Sequence, residues 1–254
     1  MIPHDDRGLL LGDGLFETLL AKAGVLVDLE AHLDRLAVGC AALGLPMPDR
    51  GEAERLMRQA LGAVEAPRAA VRLTLTAGSG GRGLDRPGEP VPRLFASAAP
   101  AATPEGRARL TLSAVRRNEG SPASRLKTLA YLDNLLARQE ARARGADEAV
   151  MLNNRGEVAC AAAANLFWVR DGRLFTPALA CGVLAGVMRA RVIAAAAAEL
   201  GVEVVETAAE PGELDAAEAV FLTNSLVGLR EVAALDAVAY GPSRLAERLA
   251  RALA

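Results

Sequence analysis

The chain lacks the features that mark several common protein classes. Its 29 lysines and arginines nearly balance 31 acidic residues, and a net charge of -2 provides no basic surface for nucleic acid or an anionic membrane. Cys40, Cys160 and Cys181 are odd in number and scattered, which fits a reducing compartment better than a disulfide framework or a metal site. Residues 1–7 are polar, unlike a signal peptide, and the alanine run 194–198 is too short to span a bilayer. We therefore expect a cytoplasmic protein with no metal, membrane or nucleic-acid partner.

Lysine is almost absent as well. Only Lys22 and Lys127 occur, so arginine supplies nearly every surface cation. A lysine kept in this background offers what arginine cannot, a primary amine that can lose its proton and form a Schiff base with an aldehyde. Lys127 follows Leu126 and precedes residues 128–144, which the pattern predicts to be helical, and burial in such a setting lowers the pKa of an amine. A surface lysine without a special role is the alternative interpretation.

The length of 254 residues allows one large domain or two modest ones. Residues 99–106 contain Pro100 and Pro104, and this composition is typical of a linker. We therefore predict an N-terminal domain over residues 1–100, a linker over 101–107 and a C-terminal domain over 108–254.

Local patterns predict the following elements. Apolar residues at helical spacing favour a helix over Leu29–Leu43, ended by Gly44 and Pro46, and a second helix over 49–64. Leu129, Leu132, Leu135 and Leu136 would form one apolar face of the helix that follows Lys127, with Gly145 at its C-terminal end. Further helices are expected over 182–200 and 242–253, and strands over 9–20, 71–77, 93–98, 109–115, 148–152, 166–170 and 219–222.

Several motifs follow one another in the second half of the chain. K-T-L-x-x-L-x-x-L-L starts at Lys127, and G-A-D-E-A-V-M-L-N-N-x-G occupies residues 145–156. A-N-L-F-W at 164–168 then precedes an Asp171-Gly172 hairpin turn and L-F-T-P. In this order the motifs resemble the fold-type IV pyridoxal-phosphate (PLP) enzymes, a family of 4-amino-4-deoxychorismate lyases, D-amino-acid transaminases and branched-chain transaminases. The likeness covers nearly the whole chain.

The resemblance implies a mixed α/β fold with a small N-terminal domain and a larger, barrel-like C-terminal domain. It also implies pyridoxal 5′-phosphate in the cleft between them, with Lys127 as the residue that binds its aldehyde, and a homodimer. Thr18, in G-D-G-x-F-E-T, would hydrogen-bond or protonate the substrate. Arg35, in H-L-D-R-L, would hold the cofactor phosphate, for which a guanidinium is well shaped.

The segment G-S-G-G-R-G at residues 78–83 satisfies G-x-G-x-x-G after a predicted strand. A dinucleotide site needs a helix to follow this loop, and the next residues, L-D-R-P-G-E-P-V-P, cannot form one. No G-K-[ST] closes the motif, which excludes a P-loop. The segment is similar to the substrate loop of the family, and its sequence is closer to that of the aminodeoxychorismate lyases than to that of the branched-chain transaminases. Arg82 is therefore the candidate ligand of a substrate carboxylate.

The C-terminal half is expected to supply the remaining cofactor contacts. Tyr131 would lie one helical turn after Lys127 and hydrogen-bond the pyridoxal phenolate, although a core-packing tyrosine fits nearly as well. The resemblance further assigns main-chain donors to the phosphate at Val187 and Met188, in the glycine-led start of the helix expected over 182–200, and a hydroxyl and an amide at Ser225 and Leu226.

Cys160 departs from the family pattern. Five residues before Asn165 the family usually has a glutamate, which pairs with the pyridine nitrogen and lets the ring accept electrons. A regular strand would point the nearby Glu157 to the side opposite Cys160, so Glu157 could take this place only through a register shift. Transamination depends on this electron acceptance, whereas elimination of pyruvate from aminodeoxychorismate is helped by aromatisation of the product.

The sequence therefore favours an aminodeoxychorismate lyase that forms 4-aminobenzoate and pyruvate. A D-amino-acid or branched-chain aminotransferase is the first alternative. The second is a non-catalytic PLP-binding protein, which Cys160 and the few residues before the G-D-G motif would favour.

Overall fold

The computed structural model describes residues 2–253, and within them the chain forms two compact units. The first extends to Thr103 and also includes Leu126–Ala130; the second comprises Pro104–Arg125 and the chain from Tyr131 onward. The segment that carries Lys127 thus belongs to the first unit, although the predicted boundary assigned it to the C-terminal domain. The reason is backbone pairing with residues near the N terminus, described below. No helix in the described part of the chain is long and apolar enough to cross a membrane.

The first unit packs helices on a four-stranded antiparallel sheet with strand order β2-β1-β3-β4. Its core lies between this sheet and two helices, where Leu15 and Leu19 of the first strand meet Leu33 and Leu36 of one helix and Met57 of the other. The elements of this unit are α1 (Arg7–Leu11), β1 (Gly14–Lys22), β2 (Val25–Leu26), α2 (Leu29–Leu43), α3 (Arg50–Leu61), β3 (Arg68–Thr76) and β4 (Arg93–Pro100).

The apolar spacing that predicted a helix over Leu29–Leu43 is confirmed by α2, which has these bounds. It ends at Gly44, whose φ of 62° is left-handed, a conformation that glycine adopts without the Cβ clash of other residues. The strand predicted over residues 9–20 is wrong over residues 9–13. Asp6 caps α1 by accepting hydrogen bonds from Gly8 N and Leu9 N, and the strand begins only at Gly14.

The second unit contains a mixed nine-stranded sheet with the order β10-β9-β8-β11-β12-β5-β6-β7, and β13 pairs with β12. Its elements are β5 (Ala108–Leu112), α4 (Leu132–Ala143), β6 (Glu148–Leu152), β7 (Val158–Ala161), β8 (Asn165–Arg170), β9 (Arg173–Pro177), α5 (Val187–Ala198), β10 (Val204–Thr207), α6 (Gly212–Asp215), β11 (Ala219–Asn224), β12 (Gly228–Leu235), β13 (Val238–Ala239) and α7 (Arg244–Ala252).

This sheet curls around an apolar core. Val150 of β6, Val158 of β7, Trp168 of β8 and Leu222 of β11 belong to one buried cluster, although β7 is an edge strand and β8 lies several strands away in the sheet order. A tight turn joins β7 to β8, with Ala161 N donating to Ala164 O at 2.9 Å. The mixed α/β class predicted from the sequence is confirmed, including a curved, half-barrel sheet in the larger unit.

The helix predicted over residues 128–144 begins only at Leu132. Long-range pairing overrides the local preference of the preceding residues, because Leu129 N donates to Gly14 O at 3.0 Å and holds the segment extended beside β1. Of the predicted apolar face, Leu129 lies outside α4, while Leu132, Leu135 and Leu136 lie on it and are 65%, 51% and 43% exposed.

Candidate active site

Lys127 lies within the first unit, beside the first strand of its sheet. Its carbonyl accepts a hydrogen bond from Phe16 N at 2.9 Å, and its Nζ lies 4.2 Å from the centroid of the Phe16 ring. The pKa of Lys127 is lowered from 10.5 to about 8, chiefly because burial disfavours the charged amine. The positive charges of Arg35 and Arg72 lower this pKa further, and the carboxylate of Glu17 opposes them. The result is an amine of which a useful fraction is neutral at pH 7.

One face of the first sheet carries polar groups close to this amine. Thr18 on β1 pairs with Arg72 on β3, and Phe16 pairs with Thr74 two residues earlier. Antiparallel partners point to the same face and residues two apart share it, so these four side chains lie together. The Arg72 guanidinium stacks on the Phe16 ring at 3.7 Å, and its Nε donates to Thr74 Oγ1 at 3.3 Å. Thr18, predicted from the sequence, therefore shares a face with an arginine that the sequence did not single out.

The opposite face of β1 holds a buried ionic cluster. Glu17 accepts hydrogen bonds from both Nε and Nη2 of Arg35, at 2.8 and 2.5 Å, and lies 2.7 Å from His32 Nδ1. Burial alone would raise the pKa of Glu17, but these two partners outweigh it and the pKa is lowered. Arg35, the predicted phosphate ligand, is thus fixed in orientation by two contacts to one carboxylate. The sequence did contain a signal for Glu17: a carboxylate on the apolar side of β1 requires a buried partner.

The glycine-rich loop, residues 78–85, is followed by turns and coil up to residue 92, so the G-x-G-x-x-G segment does not open a helix. Arg82 is exposed, and its main chain forms an isolated antiparallel β-bridge with the main chain of Asp85. Its guanidinium is therefore accessible to an anion on the surface of this unit.

In the second unit, α5 begins without a side-chain cap. Gly186 is the N-cap residue, and as glycine it has no side chain to accept a hydrogen bond from the first turn. Val187 and Met188, the predicted main-chain donors, are the first two helical residues. Amides in the first turn of a helix lack intrahelical partners and are suited to binding an anion. Asn165 packs against this turn: a Cβ at residue 186 would lie 2.0 Å from its Oδ1, so a larger residue there would displace the Asn165 side chain.

The turn after β11 is organised by Asn224. Its Oδ1 accepts hydrogen bonds from Leu226 N at 3.0 Å and Val227 N at 2.9 Å. The Leu226 amide, expected to bind phosphate together with the Ser225 hydroxyl, therefore already donates within the turn. The residue before Asn224 is Thr223, whose buried hydroxyl has no hydrogen-bond partner among the described residues.

Cys160 lies in an apolar cluster with Ala159, Cys181 and Val183. Burial raises the pKa of its thiol, so Cys160 is a neutral group at physiological pH. Glu157 lies beside this cluster: its Oε2 accepts from Asn153 Nδ2 at 2.6 Å and from Arg155 Nη2 at 2.8 Å, and its carboxylate also accepts from the Cys181 thiol.

Tyr131 is the residue preceding the first turn of α4 and is half-buried. The argument that placed it one helical turn after Lys127 is wrong, because Lys127 lies outside the helix. Its assignment to the pyridoxal phenolate rests on the family resemblance alone.

Comparison with known proteins identifies the class to which this fold belongs. The 4-amino-4-deoxychorismate lyase from Pseudomonas aeruginosa has a similar crystal structure, with a TM-score of 0.89 at 35% identity, covering 98% of this chain and 93% of that chain. The fold is that of the fold-type IV PLP enzymes.

The sequence of the chain matches this class over most of its length. Residues 14–235 match the amino-transferase class IV family. The aminodeoxychorismate lyase of Vibrio harveyi is 31% identical over 242 residues, 93% of this chain and 88% of the relative. A branched-chain-amino-acid aminotransferase of P. aeruginosa is 30% identical over 246 residues, 92% and 79% respectively. The chain belongs to the class IV aminotransferase family, and it is a PLP-dependent enzyme.

The donors present fit this cofactor. The primary amine of Lys127, with a pKa of about 8, suits an aldehyde, and the uncapped first turn of α5 suits a phosphate.

Proposed function

We propose that the enzyme is a lyase that converts 4-amino-4-deoxychorismate to 4-aminobenzoate and pyruvate. The observation that carries this proposal is the setting of Cys160: a neutral thiol in an apolar cluster, with Glu157 bound to Arg155 and Asn153. A thiol is a poor partner for a pyridinium, so a reaction that depends little on electron storage in the ring is favoured. Relatives named as lyases and as aminotransferases are about equally similar in sequence, so their names alone do not decide between the reactions.

When bound, pyridoxal 5′-phosphate supplies an aldehyde that captures the substrate amine and an aromatic ring that withdraws electrons from it. Lys127 would hold the aldehyde before substrate arrives. The amides of Val187 and Met188, the Ser225 hydroxyl and the Arg35 guanidinium would bind the phosphate, whereas the Leu226 amide already donates to Asn224 Oδ1. Tyr131 would donate to the phenolate, and Cys160 would face the pyridine nitrogen.

Lys127 also serves as the general base in this proposal. Once the substrate amine has replaced it, its neutral Nζ takes the proton from the ring carbon that bears the amine. The carbon–oxygen bond to the enolpyruvyl group then breaks and the ring becomes aromatic. Thr18 would donate its hydroxyl proton in a hydrogen bond to the departing group, which takes up the proton that Lys127 removed and leaves as pyruvate. The Lys127 amine would then take back the aldehyde and release 4-aminobenzoate.

Two arginines of the first unit are candidates for the substrate carboxylates. Arg82 is exposed on the glycine-rich loop, and Arg72 lies on the same sheet face as Thr18. A guanidinium binds a carboxylate through two parallel hydrogen bonds, which fixes the orientation of the substrate.

An aminotransferase acting on D-amino acids or branched-chain amino acids is the second candidate, and a PLP-binding protein without catalysis is the third. A panel of aminodeoxychorismate, D-alanine and branched-chain substrates separates them. Release of 4-aminobenzoate as the fastest reaction supports the lyase, amino-group exchange as the fastest reaction supports the aminotransferase, and no turnover supports the non-catalytic protein.

Lys127→Ala tests the residue at the centre of the proposal. The variant should lose the visible absorbance of bound cofactor and should not be labelled when cofactor and borohydride are added, whereas Lys22→Ala should behave as the wild type. Covalent labelling of Lys127→Ala would show that another lysine holds the cofactor.

We also propose that the enzyme is a homodimer. The exposed Leu132, Leu135 and Leu136 of α4 give it an apolar surface that self-association would cover. Sedimentation equilibrium at micromolar concentration should give twice the chain mass of 26.4 kDa.

A further inference from the structure

Arg7 is buried at the base of the glycine-rich loop, with only 4% of its surface exposed. Its Nη2 donates to Leu84 O at 2.9 Å and its Nη1 to Asp85 O at 3.0 Å, with Gly80 O and Gly83 O each 3.4 Å from Nη1. Its main-chain N donates to Gly78 O at 2.8 Å. One residue therefore contacts five carbonyl oxygens of a single loop.

The loop needs such a partner because it lacks regular secondary structure. The loop residues 80–85 are exposed, but their carbonyls that turn inward onto the buried Arg7 are shielded from water and need donors from elsewhere. A guanidinium has five N–H groups spread over a plane and can reach several carbonyls at once, whereas an ammonium has three on one atom. Asp13 holds Arg7 in place by accepting from its Nε at 2.9 Å, and the same carboxylate binds Arg86 at the end of the loop.

The glycines of the loop allow its main chain to pack closely against this guanidinium. Gly78, Gly80, Gly81 and Gly83 all have positive φ values. A Cβ at Gly81 would lie 2.1 Å from Asp85 O and 3.0 Å from Arg7 Nη1, so a larger residue would push the loop away from Arg7. The loop is a specific structure rather than a flexible turn.

We propose that Arg7 is a positioning residue that holds the glycine-rich loop, and with it Arg82, in the conformation that binds the substrate. The inference rests on the proposed function in one respect, that this loop binds substrate. Arg7 itself is covered by the loop and touches no reacting atom, so its effect should be on substrate binding rather than on the chemical step.

Two variants disturb the contact between Arg7 and the glycine-rich loop, one by changing Arg7 and the other by changing the loop. Arg7→Lys keeps the charge but loses the planar donors, and Gly81→Ala keeps Arg7 but adds the obstructing Cβ. Gly24→Ala is the matched control, because Gly24 has a comparable φ of 80° and nothing within 4 Å of an added Cβ.

Hydrogen exchange of amides 78–85 and steady-state kinetics are measured for each holoenzyme. KM is measured with whichever substrate the wild type turns over fastest, so an error in the lyase assignment changes the substrate and leaves the comparison intact. We expect faster loop exchange and a KM raised roughly tenfold or more in both variants, the factor that accompanies loss of one charge-assisted hydrogen bond. kcat and cofactor affinity should change little, and Gly24→Ala should match the wild type.

Unchanged loop exchange in Arg7→Lys, or faster exchange without a rise in KM, would overturn the proposal. If Arg7→Lys does not fold, Gly81→Ala decides by the same criteria. Loss of cofactor equal to the loss of substrate binding would also overturn it, because Arg7 would then support the whole unit rather than the loop.

Discussion

Removing the charge of Arg72 should make Lys127 harder to deprotonate. Arg72 Cζ and Lys127 Nζ lie 3.7 Å and 4.2 Å from the same ring centroid, so they are at most 7.9 Å apart. The pKa of Lys127 is about 8, lowered first by burial and further by Arg35 and Arg72. In Arg72→Met the methionine keeps an apolar stem against Phe16, while the pKa of Lys127 rises towards its ordinary value.

The size of the effect follows from the separation of the charges. Two unit charges about 8 Å apart repel by about 2 kcal/mol at an effective dielectric constant of about 20. Both side chains are mostly buried but keep some contact with solvent, and screening reduces the repulsion to about 1 kcal/mol. That is a factor of about five in the ionisation equilibrium.

The assay is the rate at which the cofactor-free protein captures pyridoxal 5′-phosphate, followed by absorbance across a pH series. Only the neutral amine of Lys127 attacks the aldehyde, so the rate should rise with pH and reach half its maximum near pH 8. In Arg72→Met the midpoint should move to higher pH, and capture at pH 7 should be about fivefold slower because less amine is neutral.

Arg55→Met serves as the control, since Arg55 is exposed on α3 and pairs with Glu52. It should leave the profile unchanged. An Arg72→Met profile with the wild-type midpoint, or one displaced to lower pH, would refute the electrostatic account of Lys127.

Three further predictions concern other parts of the molecule. Arg82→Ala should weaken substrate binding by about 1.5–3 kcal/mol, the value of a charged hydrogen bond, and leave the cofactor dissociation constant unchanged; equal loss of cofactor would contradict its assignment to substrate. Cys160→Glu should raise cofactor affinity and raise transamination more than lyase turnover, because a charged hydrogen bond is roughly twice as strong as a neutral one; a folded variant with affinity and activity ratio unchanged would refute the placement of Cys160. Phe167→Ala should lower the free energy of unfolding in urea by about 3–5 kcal/mol, since Phe167 is fully buried and stacks on Phe221 at 5.1 Å, and a loss below about 1 kcal/mol would contradict this packing.

Elements whose determinants are local could be predicted from the sequence. The apolar spacing of α2, with a glycine directly after it, predicted both ends of the helix. Asp171 and Gly172 predicted the β8–β9 turn, where both residues have positive φ. Errors occurred where distant residues decide the conformation, as in residues 128–130, which pair with β1 instead of extending α4.

The residues of the candidate site also differ in whether local sequence or long-range packing determines their position. Lys127 could be singled out because lysine is rare in the chain, and its lowered pKa agrees with the burial expected from its neighbours. Arg72 could not, because its proximity to Thr18 depends on the register between β1 and β3. Arg7 lies more than 70 residues from the loop that it contacts, and no local pattern relates the two.

The central claim is tested most directly by incubating the holoenzyme with 4-amino-4-deoxychorismate and measuring 4-aminobenzoate and pyruvate together. We expect both products to form in equal amounts over many turnovers, faster than any amino-group exchange with D-alanine or branched-chain amino acids, and we expect Lys127→Ala to abolish their formation. Rapid amino-group exchange without release of 4-aminobenzoate would contradict it.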